Sequence, residues 1–344
     1  MRHNTSTVLV TGAAGFIGCN VARHLVSHHY TVVTLDNLSL GKAENLPSGI
    51  PLVIGDVQDA GVWRSLPPVD AIVHLAGASS TPMFAADLSG SFQNNVTGFL
   101  RALEYAQRSA VPRVVYASTS LIYGNVPPPL RESGNVDVLN FYAVSKYCME
   151  QIAQLFYRER GTQVVGLRFM SVYGPREDHK GGLANLVSQF IWGMERGETP
   201  VVYGDGNQTR DFTSVWDVAQ AVRLALESPY NLAAKIYNVG TGTTTSINAL
   251  ITLLAEMMGV AAKARYVPIP AGRAYNYQQQ ASLESIVNEL GYRPTISLER
   301  GIDEILRLRG CVPNRATLPK GCTGAALARV ALHAAFRVSK RQHT

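Results

Sequence analysis

The short apolar run Val8-Leu9-Val10 flows directly into Thr11-Gly12-Ala13-Ala14-Gly15-Phe16-Ile17-Gly18, and this junction constrains the fold more than any other part of the chain. Glycines at 12, 15 and 18 have the spacing of a strand turning sharply into a helix, where a side chain would block the turn or hold the helix off the strand. A helix starting there presents unpaired N–H groups and the positive end of its dipole, a suitable seat for a diphosphate. A purely structural turn can carry the same glycines. The weight comes from context, between a strand-like run and a helix-like run.

The pattern then repeats. Strand-like runs at 31–35, 52–54, 71–75, 113–117 and 164–169 alternate with helical stretches at about 15–28, 91–109 and 142–160. Alternation of this kind predicts an α/β fold, a doubly wound parallel sheet with helices on both faces. Beyond Gly174-Pro175 the pattern loosens. Helices fit at about 183–196, 215–228, 246–258, 283–290 and 298–309, with short strands near 201–203 and 236–239. We expect residues 1–171 to form a Rossmann-type domain to which 214–240 returns, and 172–310 to form mainly a smaller lobe over the carboxyl ends of the strands, where ligands of open α/β sheets bind. From 311 to 344 the chain is basic and alanine-rich, an appendage in which 324–339 fits one weakly amphipathic helix.

The net charge is +6, much of it near the end of the chain, at Arg307, Arg309, Arg315, Lys320, Arg329, Arg337, Lys340 and Arg341. No nucleic-acid recognition motif accompanies it, so no nucleic-acid partner is expected. No apolar run approaches the ~20 residues that span a bilayer, and the first residues lack the apolar core of a secretory signal. Cys19, Cys148, Cys311 and Cys322 form no CxxC pair and no zinc pattern, which reads as reduced thiols in a cytoplasmic protein without a metal site.

Four further features carry chemistry. Asp36 ends the second strand, where a carboxylate accepts hydrogen bonds from a ribose and repels a 2′-phosphate, favouring NAD over NADP. Asp56 follows the third strand, in reach of an adenine edge or as a plain loop residue. Tyr142 and Lys146 stand four residues apart on one helix face, and a cation nearby favours the phenolate, so that Tyr142 can act as a base. A YxxxK pair alone is also compatible with a solvated helix face. Ala117-Ser118-Thr119-Ser120 closes the fifth strand with hydroxyls that can assist proton transfer.

Taken in this order, the chain resembles the extended short-chain dehydrogenase/reductases, in particular the UDP-glucose 4-epimerase-like branch of the NAD-dependent epimerase/dehydratases, over roughly residues 7 to 305. The matching pieces are TGAAGFIG at 11–18, DNLSLGK at 36–42, HLAG at 74–77, NNVTG at 94–98, ASTSLIYG at 117–124, YAVSK at 142–146, LRFMSVYGPR at 167–176, YGDGNQTRDFTSVWDV at 203–218, NVGTG at 238–242 and LGYRP at 290–294. The resemblance implies an epimerase that inverts C4 of a nucleotide-diphosphate sugar, most naturally a UDP-sugar, through a transient keto sugar. It implies Thr119, Tyr142 and Lys146 as the catalytic trio. It assigns to NAD Gly12, Gly15, Phe16, Ile17, Gly18, Asp36, Asn37, Ser39, Gly41, Asp56, Val57, Leu75, Ala76, Gly77, Ala117, Ser118, Tyr142, Lys146 and Phe169. To the substrate it assigns Ser80, Thr119, Ser120, Tyr142, Ser171, Asn185, Leu186, Val201, Tyr203, Arg210 and Arg273. A homodimer through helices 91–109 and 142–160 is also implied, with Leu100, Leu103, Cys148, Ile152 and Leu155 as candidate contacts that core packing explains equally well.

The departures are informative. Related dehydratases and decarboxylases carry a glutamate where this chain has Leu121, and related 3,5-epimerases a cysteine there; leucine cannot transfer a proton. Lys180 stands where such 3,5-epimerases place an acid/base lysine, which keeps C3/C5 epimerisation as an alternative, beside an NAD(P)-dependent reductase and a non-catalytic binding protein. Ser171 replaces the usual asparagine, and 271–278 lacks the usual RxGD stretch, leaving Arg273 as the candidate phosphate contact.

Overall fold

The computed structural model describes residues 6–269 and 277–310. The glycine junction does what its spacing predicts. Strand β1 (Thr7–Thr11) turns into helix α1 (Phe16–Ser27), which is followed by strands β2 (Thr31–Asp36) and β3 (Leu52–Ile54), helix α2 (Ala60–Ser65) and strand β4 (Ala71–His74). Helices α3 (Thr81–Ala86), α4 (Leu88–Phe92) and α5 (Gly98–Arg108) lead to strand β5 (Arg113–Thr119), helix α6 (Phe141–Arg160) and strand β6 (Gln163–Phe169). The second half adds strand β7 (Ser171–Tyr173), helix α7 (Leu186–Glu195), strands β8 (Val201–Tyr203), β9 (Thr209–Arg210) and β10 (Phe212–Ser214), helix α8 (Val215–Glu227), strands β11 (Ile236–Val239) and β12 (Thr245–Ser246), helix α9 (Ile247–Met258), strand β13 (Arg265–Val267), and helices α10 (Glu284–Leu290) and α11 (Leu298–Leu308).

Seven strands form one sheet in the order β11-β6-β5-β4-β1-β2-β3, with every pairing parallel. The order reverses between β1 and β4, the switch point at which doubly wound sheets open a crevice. Alternate side chains of a strand face opposite layers. Val8 and Val10 pack with α1, α8 and Tyr237 of β11, while Leu9 packs with Phe99 of α5 and Met149 of α6. Helix α10, which lies in the half expected to form the smaller lobe, joins the first layer through Ile286 and Leu290. A third core, of α7, α9 and α11 with Val202 and Phe212, builds the body that faces the strand ends.

The sequence predicts one helix over 91–109, but the chain coils as α4, a single wide π turn over Gln93–Thr97, and α5. Asn95 occupies that turn, and its Nδ2 donates to Ala78 O at 3.0 Å and to Ser145 Oγ at 2.9 Å. Such turns inside helices often mark functional sites; this one ties the helix to α6. The capping of α6 is local. Asn140 Oδ1 accepts from Ala143 N, and Gly161 closes the helix in the left-handed region at φ 76°.

Candidate active site

A cleft of about 410 Å³ runs along the carboxyl ends of the sheet, lined by residues that range from Gly12 to Gln279 in the sequence. Its first wall is the glycine turn. Gly12 sits at φ +65°, and a Cβ there would stand 2.6 Å from Ala76 N. A Cβ on Gly18 would overlap the Gly12 carbonyl oxygen, and one on Gly41 would lie 2.6 Å from the Ala14 carbonyl carbon. The turn therefore holds three chain segments at backbone contact, open to a ligand only because side chains are missing. The first turn of α1 has neither a side-chain cap nor an acid, which leaves its N–H groups for an anion.

Asp36 is buried at the end of β2, where its Oδ2 accepts from Ala14 N at 2.9 Å and its Oδ1 from Leu38 N at 2.8 Å. It fixes the glycine turn and still lines the cleft. Asp56 does not line it: its carboxylate accepts from Asn37 Nδ2 and Gln58 N, and its neighbours Gly55 and Val57 face the cleft instead. Gly15, Phe16, Ile17, Asn37, Ser39, Leu75, Ala76, Gly77, Ala117, Ser118 and Phe169 also line it. The Ser118 hydroxyl is turned away, donating to Glu150 Oε1 at 2.6 Å.

Thr119, Tyr142 and Lys146 line the same cleft. Tyr142 hydrogen-bonds with Thr119, whose Oγ1 also accepts from Leu121 N at 3.2 Å. Burial pushes the Tyr142 phenol above its ordinary value and the Thr119 bond opposes this, so in the protein itself Lys146 does not bring the phenol down as the helix spacing predicts. Burial also lowers Lys146 from 10.5 to about 8, and its Nζ donates to Ala117 O at 3.0 Å. Beneath the trio, Arg168 meets Glu150 in a buried two-pronged ion pair, Nε to Oε1 at 2.9 Å and Nη2 to Oε2 at 2.7 Å.

The far wall comes from the second half. Asn185 Nδ2 donates to Ser171 Oγ at 3.0 Å, while its Oδ1 caps α7 through Val187 N. The shorter Ser171 thus still closes a bond to the neighbouring amide. Buried Glu177 accepts from Lys180 Nζ at 3.0 Å, Ser188 Oγ at 2.7 Å and Asn185 N at 2.9 Å. Arg210 lines the cleft on β9, and next to it Asp211 is wholly buried, accepting from Thr241 N, Gly242 N and Ala281 N at 2.7, 3.0 and 3.2 Å.

Ser80, Leu186, Val201 and Tyr203 do not line the cleft. Ser80 stands at the N-cap of α3, with Ser79 facing the cleft beside it. Leu186 begins α7 and packs against the third core; Val201 and Tyr203 lie on β8, paired with β13. Arg273 and the segment 311–344 lie outside the described residues. Gln279, Glu177, Met83 and Met170 line the cleft without having been read from sequence. Among the described residues no cluster of metal-binding side chains is present, and no helix is long and apolar enough to cross a membrane.

Residues 8–240 match the NAD dependent epimerase/dehydratase family. The chain belongs to that family. Among its members, the ADP-L-glycero-D-manno-heptose-6-epimerase of Alkalilimnicola ehrlichii is 33% identical over 290 residues, covering 79% of this chain and 88% of that one. The UDP-glucose 4-epimerase of Thermotoga maritima, solved with UDP-glucose, superposes with a TM-score of 0.83 at 32% identity, over 88% of this chain and 99% of that one. The Thermus thermophilus UDP-glucose 4-epimerase, solved with NAD, gives a TM-score of 0.80 at 32% identity, over 89% of this chain and 100% of that one.

Proposed function

We propose that this protein is an NAD-dependent epimerase of nucleotide-diphosphate sugars that inverts C4 of a UDP-sugar through a transient 4-keto sugar. The observation that carries the reading is that Thr119, Tyr142 and Lys146 line one cleft together with a glycine cradle and Arg210. The cradle fits a dinucleotide, since Gly12, Gly18 and Gly41 leave the space a Cβ would fill and α1 offers uncapped N–H groups. Asp36, with its carboxylate on the cleft, supports NAD over NADP by repelling a 2′-phosphate.

Bound along that cradle, NAD would supply a reversible hydride acceptor. The chain's own residues move the proton. Tyr142 Oη exchanges it with the sugar 4-hydroxyl, Thr119 favours the phenolate by its hydrogen bond, and Lys146 lines the cleft one helical turn away on α6. Arg210 offers a fork suited to the diphosphate. Leu121 lines the cleft where a glutamate would be needed for elimination or decarboxylation, which supports epimerisation. Lys180 is held by Glu177 and is thereby less suited to acid/base work at C3 or C5.

A homodimer is part of this reading. Leu100, Phe141, Val144 and Leu155 expose apolar surface on α5 and α6, whereas Leu103 belongs to the core and Ile152 packs against it. The free thiols of Cys19 and Cys148 support a reducing, cytoplasmic setting.

The test is an NMR time course of the purified protein with a panel of UDP- and GDP-sugars and no added NAD. A C4 epimer forming without added cofactor is the expected result. Net production or consumption of NADH would replace the epimerase with a one-way dehydrogenase.

A further inference from the structure

We infer that Gln279 reads a hydroxyl of the sugar and makes the site selective for neutral over uronic sugars, an inference that rests on the proposed sugar-nucleotide substrate. Gln279 is 4% exposed and lines the cleft together with Thr119, Ser120 and Tyr142. Its Nε2 donates to Ser120 Oγ at 3.4 Å, a long and therefore weak bond. Its Oε1 accepts from no other described residue. A buried amide held this loosely exchanges its partner for a better one at little cost, and a sugar hydroxyl, both donor and acceptor, is such a partner.

The segment carrying Gln279 is firmly placed even though its side chain is weakly held. Ala281 N donates to Asp211, Leu130 N donates to Gln280 O at 2.8 Å, and Gln280 Nε2 donates to Gly242 O at 2.9 Å. The backbone is thus preorganised and presents a loosely held amide beside the trio from the opposite lobe. The basic residues lining the cleft, among the described residues, are Lys146, Lys180 and Arg210. Lys146 donates to Ala117 O and Lys180 to Glu177. Among the described residues, what hydrogen-bonds Ser120 from this segment is the neutral amide, which suits a hydroxyl and itself gives a carboxylate no counter-charge.

The experiment measures binding of UDP, UDP-glucose and UDP-glucuronate by calorimetry to the NAD-loaded wild type, Gln279→Leu and Gln279→Arg. Wild type is expected to bind UDP-glucose more tightly than UDP. In Gln279→Leu that increment shrinks by roughly five- to tenfold, the scale of one neutral hydrogen bond, while UDP binding and NAD content stay unchanged. Gln279→Arg is expected to shift preference toward UDP-glucuronate. Equal losses for UDP and UDP-glucose, an unchanged increment, or no increment in wild type would each overturn the assignment. A wild type that shows the increment but epimerises no sugar would overturn the proposed reaction and leave Gln279 in place.

Discussion

Glu150 and Arg168 form a two-pronged ion pair under the cleft, with side chains 2% and 5% exposed, and Glu150 lies one helical turn beyond Lys146. Through Ser118 the same carboxylate reaches the strand that carries Thr119. Removing either partner strands a buried charge. Glu150→Ala and Arg168→Ala should each cost about 3–5 kcal/mol in denaturant unfolding, and a double change to Leu and Met should cost less than the sum.

Gly18→Ala should release the cofactor while leaving the sheet intact. A methyl group there overlaps the Gly12 carbonyl, so helix and turn must part. The NAD affinity of the purified variant should fall by about tenfold or more, at 1.4 kcal/mol per tenfold, with a far-ultraviolet spectrum like that of wild type.

Tyr142→Phe keeps the ring and removes the proton carrier. Epimerisation should drop by roughly a hundred- to ten-thousand-fold, and UDP-sugar binding measured by calorimetry should stay near wild type. Retained turnover would sink the assigned base.

Lys146 gives a pH signature. Its folded value is lowered by burial to about 8 against 10.5. Between those values the native protein has released a proton that the unfolded chain still holds, so stability rises with pH across the window. Relative to Lys146→Met, the wild type should gain on the order of 3 kcal/mol from pH 8 to 10.5, read as denaturation midpoints at each pH.

The dimer is checked by Leu155→Glu. Leu155 is 48% exposed on α6, so a charge there leaves the folded monomer intact and opposes an apolar interface. Sedimentation should show wild type at twice the mass of the variant.

Much of this could be seen in the residues. Apolar runs such as 113–119 and helices ending at Gly161 and Gly259 carry local period and caps, so the sheet and its layers followed from pattern alone. The two-residue strands β9 and β12 carry no period to detect, and they exist because Arg210 pairs with Thr245. The π turn is set by Asn95 reaching Ser145, a tertiary contact. In the site, glycine triplet and YxxxK are contiguous signals, and the residues they named line the cleft. Gln279 sits in a glutamine run with no local signature; only the pairing of its neighbours Gln280 with Leu130 and Ala281 with Asp211 brings it there. Val201 and Tyr203 failed to reach the cleft because β8 turns to pair with β13.

The hydrogen bonds that Asp211 makes have a consequence for how the cleft comes to exist during synthesis. The dinucleotide cradle is written between Gly12 and Gly77 and can assemble early, but Asp211 receives its last donor from Ala281, seventy residues after it. The end of the cleft beside Ser120 therefore closes only after residue 281 has been made, and a nascent chain has its glycine cradle before it holds the segment proposed to read the sugar.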